Sequence, residues 1–283
     1  MTPPYDAIVV GARCAGSPTA MLLARKGYRV LAVDRATFPS DTVSSHIVQP
    51  LAVALLADWG LLDRLVATGC PPIHTYAYDF DPIHISGSPG TNESPVSYCA
   101  RRTVLDTLLV AAAREAGVEV REGFAVEELT FDDGRVTGLG GHSRGGDSVT
   151  ERARVVVGAD GWHSLVAQAV KPERYRETPP LVAAYYSYWS GLPMAGRLEV
   201  YMRGTRGFGA APTHEGLTMI IGGWPQSEFA VNKQDVERHF QRMLELVPSF
   251  SERLRGAKRE ARFAGASLPN YFHKPYGPGW GLV

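Results

Sequence analysis

Residues 7–34 constrain this chain more than any other stretch. Ala7-Ile8-Val9-Val10 reads as a buried strand, and Gly11-Ala12-Arg13-Cys14-Ala15-Gly16 as a tight turn that opens a helix. A second apolar strand, Val30 to Val33, ends in the carboxylate of Asp34, with Arg35 next to it. Strand, glycine turn, helix and carboxylate-ended strand make a βαβ unit suited to a dinucleotide. Gly11 permits the turn, and Gly16 lets the helix approach the strand. The N–H groups from Ala12 to Gly16, Cys14 and Ala15 among them, face a pyrophosphate that the helix dipole favours. Asp34 is placed to accept ribose hydroxyls. Arg13 stands where such turns carry their middle glycine, so its backbone N–H remains and its side chain is expected to reach a phosphate.

Two further stretches narrow the choice of nucleotide. Val155 to Ser164 reads Val-Val-Val-Gly-Ala-Asp-Gly-Trp-His-Ser, a buried strand entering an Asp160-Gly161 turn. Arg102 to Gly117 reads as a helix opened by Arg-Thr-Val-Leu-Asp and closed by glycine. Together with the first turn, these resemble the FAD-dependent monooxygenases of the para-hydroxybenzoate hydroxylase type. They also resemble their relatives, the geranylgeranyl reductase-like FAD-dependent oxidoreductases.

That resemblance implies an α/β fold: a Rossmann-like FAD-binding domain of the glutathione reductase type, interleaved with a mixed β-sheet substrate domain. FAD is the implied cofactor, and NAD(P)H a transient co-substrate. Arg102 is expected to face the flavin cofactor, with Arg101 its rival, and Val126, Asp160 and Gly161 to join the cofactor set. Where the family carries an arginine three residues beyond Ser164, this chain has Ala167. His46 is the expected catalytic residue, as a flavin contact or proton relay. The implied activity is hydroxylation of an apolar or aromatic molecule with NAD(P)H and oxygen. Reduction of prenyl double bonds, or an inactive FAD-binding module, are the alternatives.

The chain's 283 residues suffice for two domains. The expected boundaries are 1–72, 99–172 and 275–283 for FAD binding, and 73–98 with 173–274 for substrate. The latter segment is β-like and aromatic-rich, with a helix over 233–246. Tyr186, Tyr188 and Trp224 are its substrate candidates, with Tyr186 and Tyr188 on one face and Tyr185 and Trp189 on different faces. Zero formal net charge makes nucleic acid an unexpected partner. Three cysteines without a Cys-x-x-Cys, and no His-Glu-x-x-His, lead to no expected disulfide framework or metal. No apolar run reaches membrane-spanning length, and the start lacks a leader pattern, so a cytoplasmic location is expected. The last residues, Gly277 to Val283, read as a strand just beginning, so the C-terminus is expected to be truncated.

Overall fold

The computed structural model describes residues 3–267 and 269–283. The chain folds as two compact units, each discontinuous in sequence. Unit one combines Met1–Thr42, Arg102–Glu177 and Tyr271–Val283; unit two combines Val43–Arg101 and Thr178–Asn270. Residues 43–72, expected with the first domain, group with the second unit. The cause is a small antiparallel sheet: Ser97–Cys99 pairs with both Ile47–Val48 and Pro72–Ile73.

Unit one is built on a parallel sheet. The strands Trp280–Leu282, Ser148–Gly158, Tyr5–Val10, Val30–Asp34 and Glu119–Glu122 lie side by side in that order. Ala7 pairs with both Val30 and Val155, so the first strand is central. Its Ile8 and Val9 are wholly buried, as continuous apolar runs flanked on both sides require. Two long strands, Phe124–Asp132 and Arg135–Ser143, continue antiparallel from Ser148–Gly158. The second of these strands runs on through Ser143, because Gly140 and Gly141 keep their ladder partners across a bulge. Helices Gly16–Arg25 and Arg102–Glu115 pack against each other. The core joins Ile8, Val10, Leu31, Val33, Phe124, Leu139 and Val156.

Unit two centres on a mixed sheet. Val182–Ser190, Thr218–Pro225, Arg206–Pro212 and Arg197–Arg203 run antiparallel, and Thr75–Asp79 joins parallel to Arg197–Arg203. Register alternation separates its faces. One face carries Tyr185, Trp189, Phe208, Ile220 and Trp224 and is covered by Phe240, Met243 and Leu244 of helix Val236–Leu244 and by Phe250. That helix starts at its Asp235 cap, whose carboxylate accepts the Arg238 N–H. Tyr185 and Trp189 are thus on the same face, four positions apart on an unbroken ladder. The opposite face carries Tyr186, Tyr188, Leu198, Ala211 and Met219.

Among the described residues, no helix is long and apolar enough to cross a membrane. None of their His, Cys, Asp and Glu side chains form a group able to hold a metal ion.

Candidate functional site

The glycine turn of unit one closes through its backbone. Gly11 donates to the Val33 carbonyl (2.8 Å), and the Ser17 hydroxyl donates to the Ala12 carbonyl (2.6 Å). Gly11 has φ +96°, and a Cβ there would overlap the Ala159 carbonyl. A Cβ at Gly16 would overlap the Gly11 carbonyl oxygen. Both glycines are therefore obligatory for strand, turn and helix to meet so closely. Ala15 provides no side-chain cap to the helix Gly16–Arg25; the Ser17 N–H donates to the Arg13 carbonyl (2.9 Å), which leaves the Gly16 N–H at the helix start to an anion.

Asp34, 8 % exposed, ends the second strand as expected. Its Oδ2 accepts the Ala12 N–H and its Oδ1 the Ala36 N–H, both at 2.8 Å. The carboxylate thus holds the turn together while keeping lone pairs for a ligand. Beyond the strand end lies a cavity of about 600 Å³ lined by Arg35, Ala36, Thr37, Ser40, Ala125 and Arg144. Val126, next to Ala125, is half-buried against the sheet core.

Arg13 makes bonds within the protein that the sequence did not announce. Its guanidinium pairs with Asp106 Oδ2 at 2.8 Å and donates to the Ser40 carbonyl (3.1 Å) and hydroxyl (2.9 Å). Those bonds direct the Nη atoms of the side chain to the protein. Arg102 opens its helix as expected, and its Nε donates to Asp106 Oδ1 at 3.0 Å.

Asp160 caps the helix Leu165–Val170. Its oxygens accept the Ser164 hydroxyl and the Leu165 N–H, each at 2.6 Å, and Ser164 in turn accepts the Ala167 N–H. Gly161, with φ +78°, makes the turn that permits this. Cys14 is exposed beside Arg13, whereas Cys70 and Cys99 are buried; all three are free thiols. Burial pushes the Cys70 thiol up to about 12.

In unit two the structure brings His46, Tyr186 and Tyr188 together. His46 is buried, with φ +62°, a strained conformation for a side chain of its size. Its Nδ1 lies 2.7 Å from the Ser44 carbonyl, which fixes the proton there and leaves Nε2 to accept the Tyr188 hydroxyl at 2.6 Å. The Tyr186 ring meets the imidazole edge-on at 5.0 Å. Trp224, the third substrate candidate, lies on the other sheet face, stacked on Tyr185 at 5.7 Å. It packs the helix-covered core, so alternation separates it from the pair.

Arg101 lies 5.1 Å over the Tyr188 ring and pairs with Glu215 (2.8 Å), whereas Arg102 engages Asp106. Sequence reading missed His214. It is buried, its Nε2 lies 2.9 Å from the Thr68 hydroxyl, and its Nδ1 faces the Arg101 N–H. Burial first, then the Arg101 charge, pushes its pKa below the ordinary histidine value. The partners lie far apart in sequence, and no local motif announces them.

A parallel βαβ sheet with a glycine turn and an amide-bound carboxylate, beside a second, mixed sheet, defines a dinucleotide-binding architecture. Residues 4–206 match the family described as FAD binding domain, and the chain belongs to it. Phenazine 1,6-dicarboxylic acid hydroxylase PhzS of Lysobacter antibioticus is 32% identical over 197 residues, covering 66% of this chain and 47% of that protein. Digeranylgeranylglycerophospholipid reductase of Methanocella arvoryzae is 31% identical over 165 residues, covering 58% of this chain and 41% of that protein. The matched stretch thus spans less than half of either relative. The fold of the myxobacterial chondrochloren halogenase CndH, an FAD-dependent halogenase, superimposes with a TM-score of 0.91 at 24% identity, covering 99% of this chain and 68% of that one.

The cofactor is FAD, and the protein is of the FAD-dependent oxidoreductase family. The residues present fit this cofactor: the two glycine positions tolerate no Cβ, and the helix start offers the Gly16 amide.

Proposed function

We propose that the protein is a monooxygenase that uses NAD(P)H and oxygen to hydroxylate an apolar or aromatic small molecule. Unit one is the FAD-binding domain and unit two the substrate domain. The observation that carries the substrate class is the sheet face of Tyr186 and Tyr188. Register places Tyr76, Tyr78, Leu198, Val200, Met202, Gly209, Ala211, Met219, Ile221, Ala184 and Val182 on that face with them. Among these described positions no side chain carries a formal charge. Such a surface rewards burial of an apolar ring or chain, and the Arg101 guanidinium that lies over Tyr188 is already paired with Glu215.

FAD, when bound, supplies the two-electron redox chemistry. The amides from Arg13 to Gly16 would hold its pyrophosphate, with Ala12 fixed by its bond to Asp34, while Asp34 would hold its ribose, and Arg35 and Val126 its adenosine end. Arg102, with Asp160 and Gly161 at their turn, completes the set. His46 is the catalytic residue of this reading: it takes the Tyr188 proton at Nε2 while Ser44 holds Nδ1–H, so the pair can hold and return a proton.

The second reading, reduction of an isoprenoid double bond, draws on the archaeal reductase relative and the same uncharged face. Substrate-stimulated oxygen consumption with NAD(P)H tests the first reading. Double-bond reduction under nitrogen without such oxygen uptake would replace it with the second. Heat-released ligand should be yellow and chromatograph as FAD.

A further inference from the structure

Arg13 replaces the middle glycine of the nucleotide turn, and its side chain turns toward the protein. We infer that Asp106 is a positioning residue of the FAD site, a buried strut that acts through Arg13 and Arg102. This rests on the assignment of the Gly11–Gly16 turn to FAD.

Asp106 is completely buried and lies four residues into the helix Arg102–Glu115. One oxygen takes Arg102 Nε (3.0 Å) and the other Arg13 Nη1 (2.8 Å). The Arg13 guanidinium continues to the Ser40 carbonyl and hydroxyl and lies 5.3 Å from the Phe38 ring centre. A single carboxylate thereby ties the nucleotide turn, the second helix and the loop at 38–41. Glycine at position 13 could make none of these bonds. The turn has exchanged backbone freedom for a side-chain tie, and its amides, not the guanidinium, address the pyrophosphate.

The charges give a test with opposite signs. The trio carries two cations and one anion. Asp106→Asn would leave the pyrophosphate facing one more uncompensated positive charge. If Asp106 acted only through the local field, that change would tighten FAD binding. If it positions the turn, the change weakens binding despite the favourable charge, because buried Arg102 and part-exposed Arg13 lose their shared partner.

FAD affinity of the apoprotein is to be measured by quenching of flavin fluorescence for the parent, Asp106→Asn, Arg13→Gly and Arg13→Lys. Labelling of Cys14 by a maleimide reports order in the turn without any flavin, with buried Cys70 and Cys99 as internal controls. Asp106→Asn and Arg13→Gly should each weaken FAD binding about tenfold or more and speed Cys14 labelling. Arg13→Lys should recover part of both, since an ammonium can make one of the guanidinium's bonds. The double variant Arg13→Gly/Asp106→Asn should be no worse than the worse single one, as for groups acting in one strut.

Tighter FAD binding by Asp106→Asn would overturn the proposal. So would Arg13→Gly binding FAD as well as the parent with an unchanged labelling rate. Arg13 is part-exposed, so its variants keep the test open if Asp106→Asn does not fold. A parent apoprotein that takes up no FAD would sink the site assignment instead, and the labelling rates alone would then decide the strut.

Discussion

Asp34 has a structural duty that its place at a strand end does not announce. Because it accepts the Ala12 and Ala36 amides, its loss reaches the fold as well as the ligand. Asp34→Ala leaves two amides without their partner and should lower apoprotein stability by about 1–3 kcal/mol. Denaturant unfolding without FAD measures this, and an unchanged midpoint would remove the structural role. His214 is the second residue with a readable consequence. Its folded pKa lies below the ordinary value, so the folded protein prefers the neutral ring. That preference stabilises the fold fully above the unfolded value of about 6.5 and is lost as pH falls below it. The melting temperature should therefore drop between pH 7 and 5, and His214→Gln should flatten part of that slope. Equal slopes in parent and variant would exclude His214 as the cause. The His214 consequence could not be read from local sequence, because Arg101 meets His214 across 113 positions.

Elements were more legible than partners, because their signals are local. The helix Arg102–Glu115 spans the run between its opening arginine and Gly117, and the strands of the βαβ unit follow their apolar runs. The short helix Pro248–Arg253 escaped notice, since six residues show too little periodicity and only its N1 proline marks it. The strand Arg135–Ser143 runs through a glycine pair, because ladder bonds made elsewhere in the sequence hold Gly140 and Gly141 extended. The nucleotide turn is the element where local chemistry and packing agree most closely. Gly16→Ala inserts a methyl into the Gly11 carbonyl, and neither strand nor helix can retreat without breaking the sheet. FAD binding should fall by at least about a hundredfold, roughly 2.7 kcal/mol. Gly87→Ala, where a Cβ meets nothing within 4 Å, serves as the control that should leave affinity unchanged. A Gly16→Ala protein with parental affinity would refute the close-packed turn.

At the scale of the whole molecule, a sequence shows where character changes but not which segments fold together. One expected boundary falls between residues 72 and 73. The segment 43–72 nevertheless joins unit two, through pairing with Ser97–Cys99 that no local pattern encodes. Each unit has its own apolar core, one around Ile8, Val33 and Phe124 and the others around Trp224, Phe240, Tyr186 and Met219. A ligand that binds only folded unit one stabilises that unit by RT ln(1 + [L]/Kd), about 2.7 kcal/mol at a hundredfold excess. Amide exchange should then slow at residues 8–17 and 31–36 when FAD is added, by up to about a hundredfold. The strand Val182–Ser190 of unit two should gain much less. An added apolar substrate should reverse this pattern, protecting Tyr186 and Tyr188 without further change at Gly11 to Gly16. Protection by FAD confined to unit two would overturn the assignment of both units, because the glycine turn would then have no nucleotide to hold.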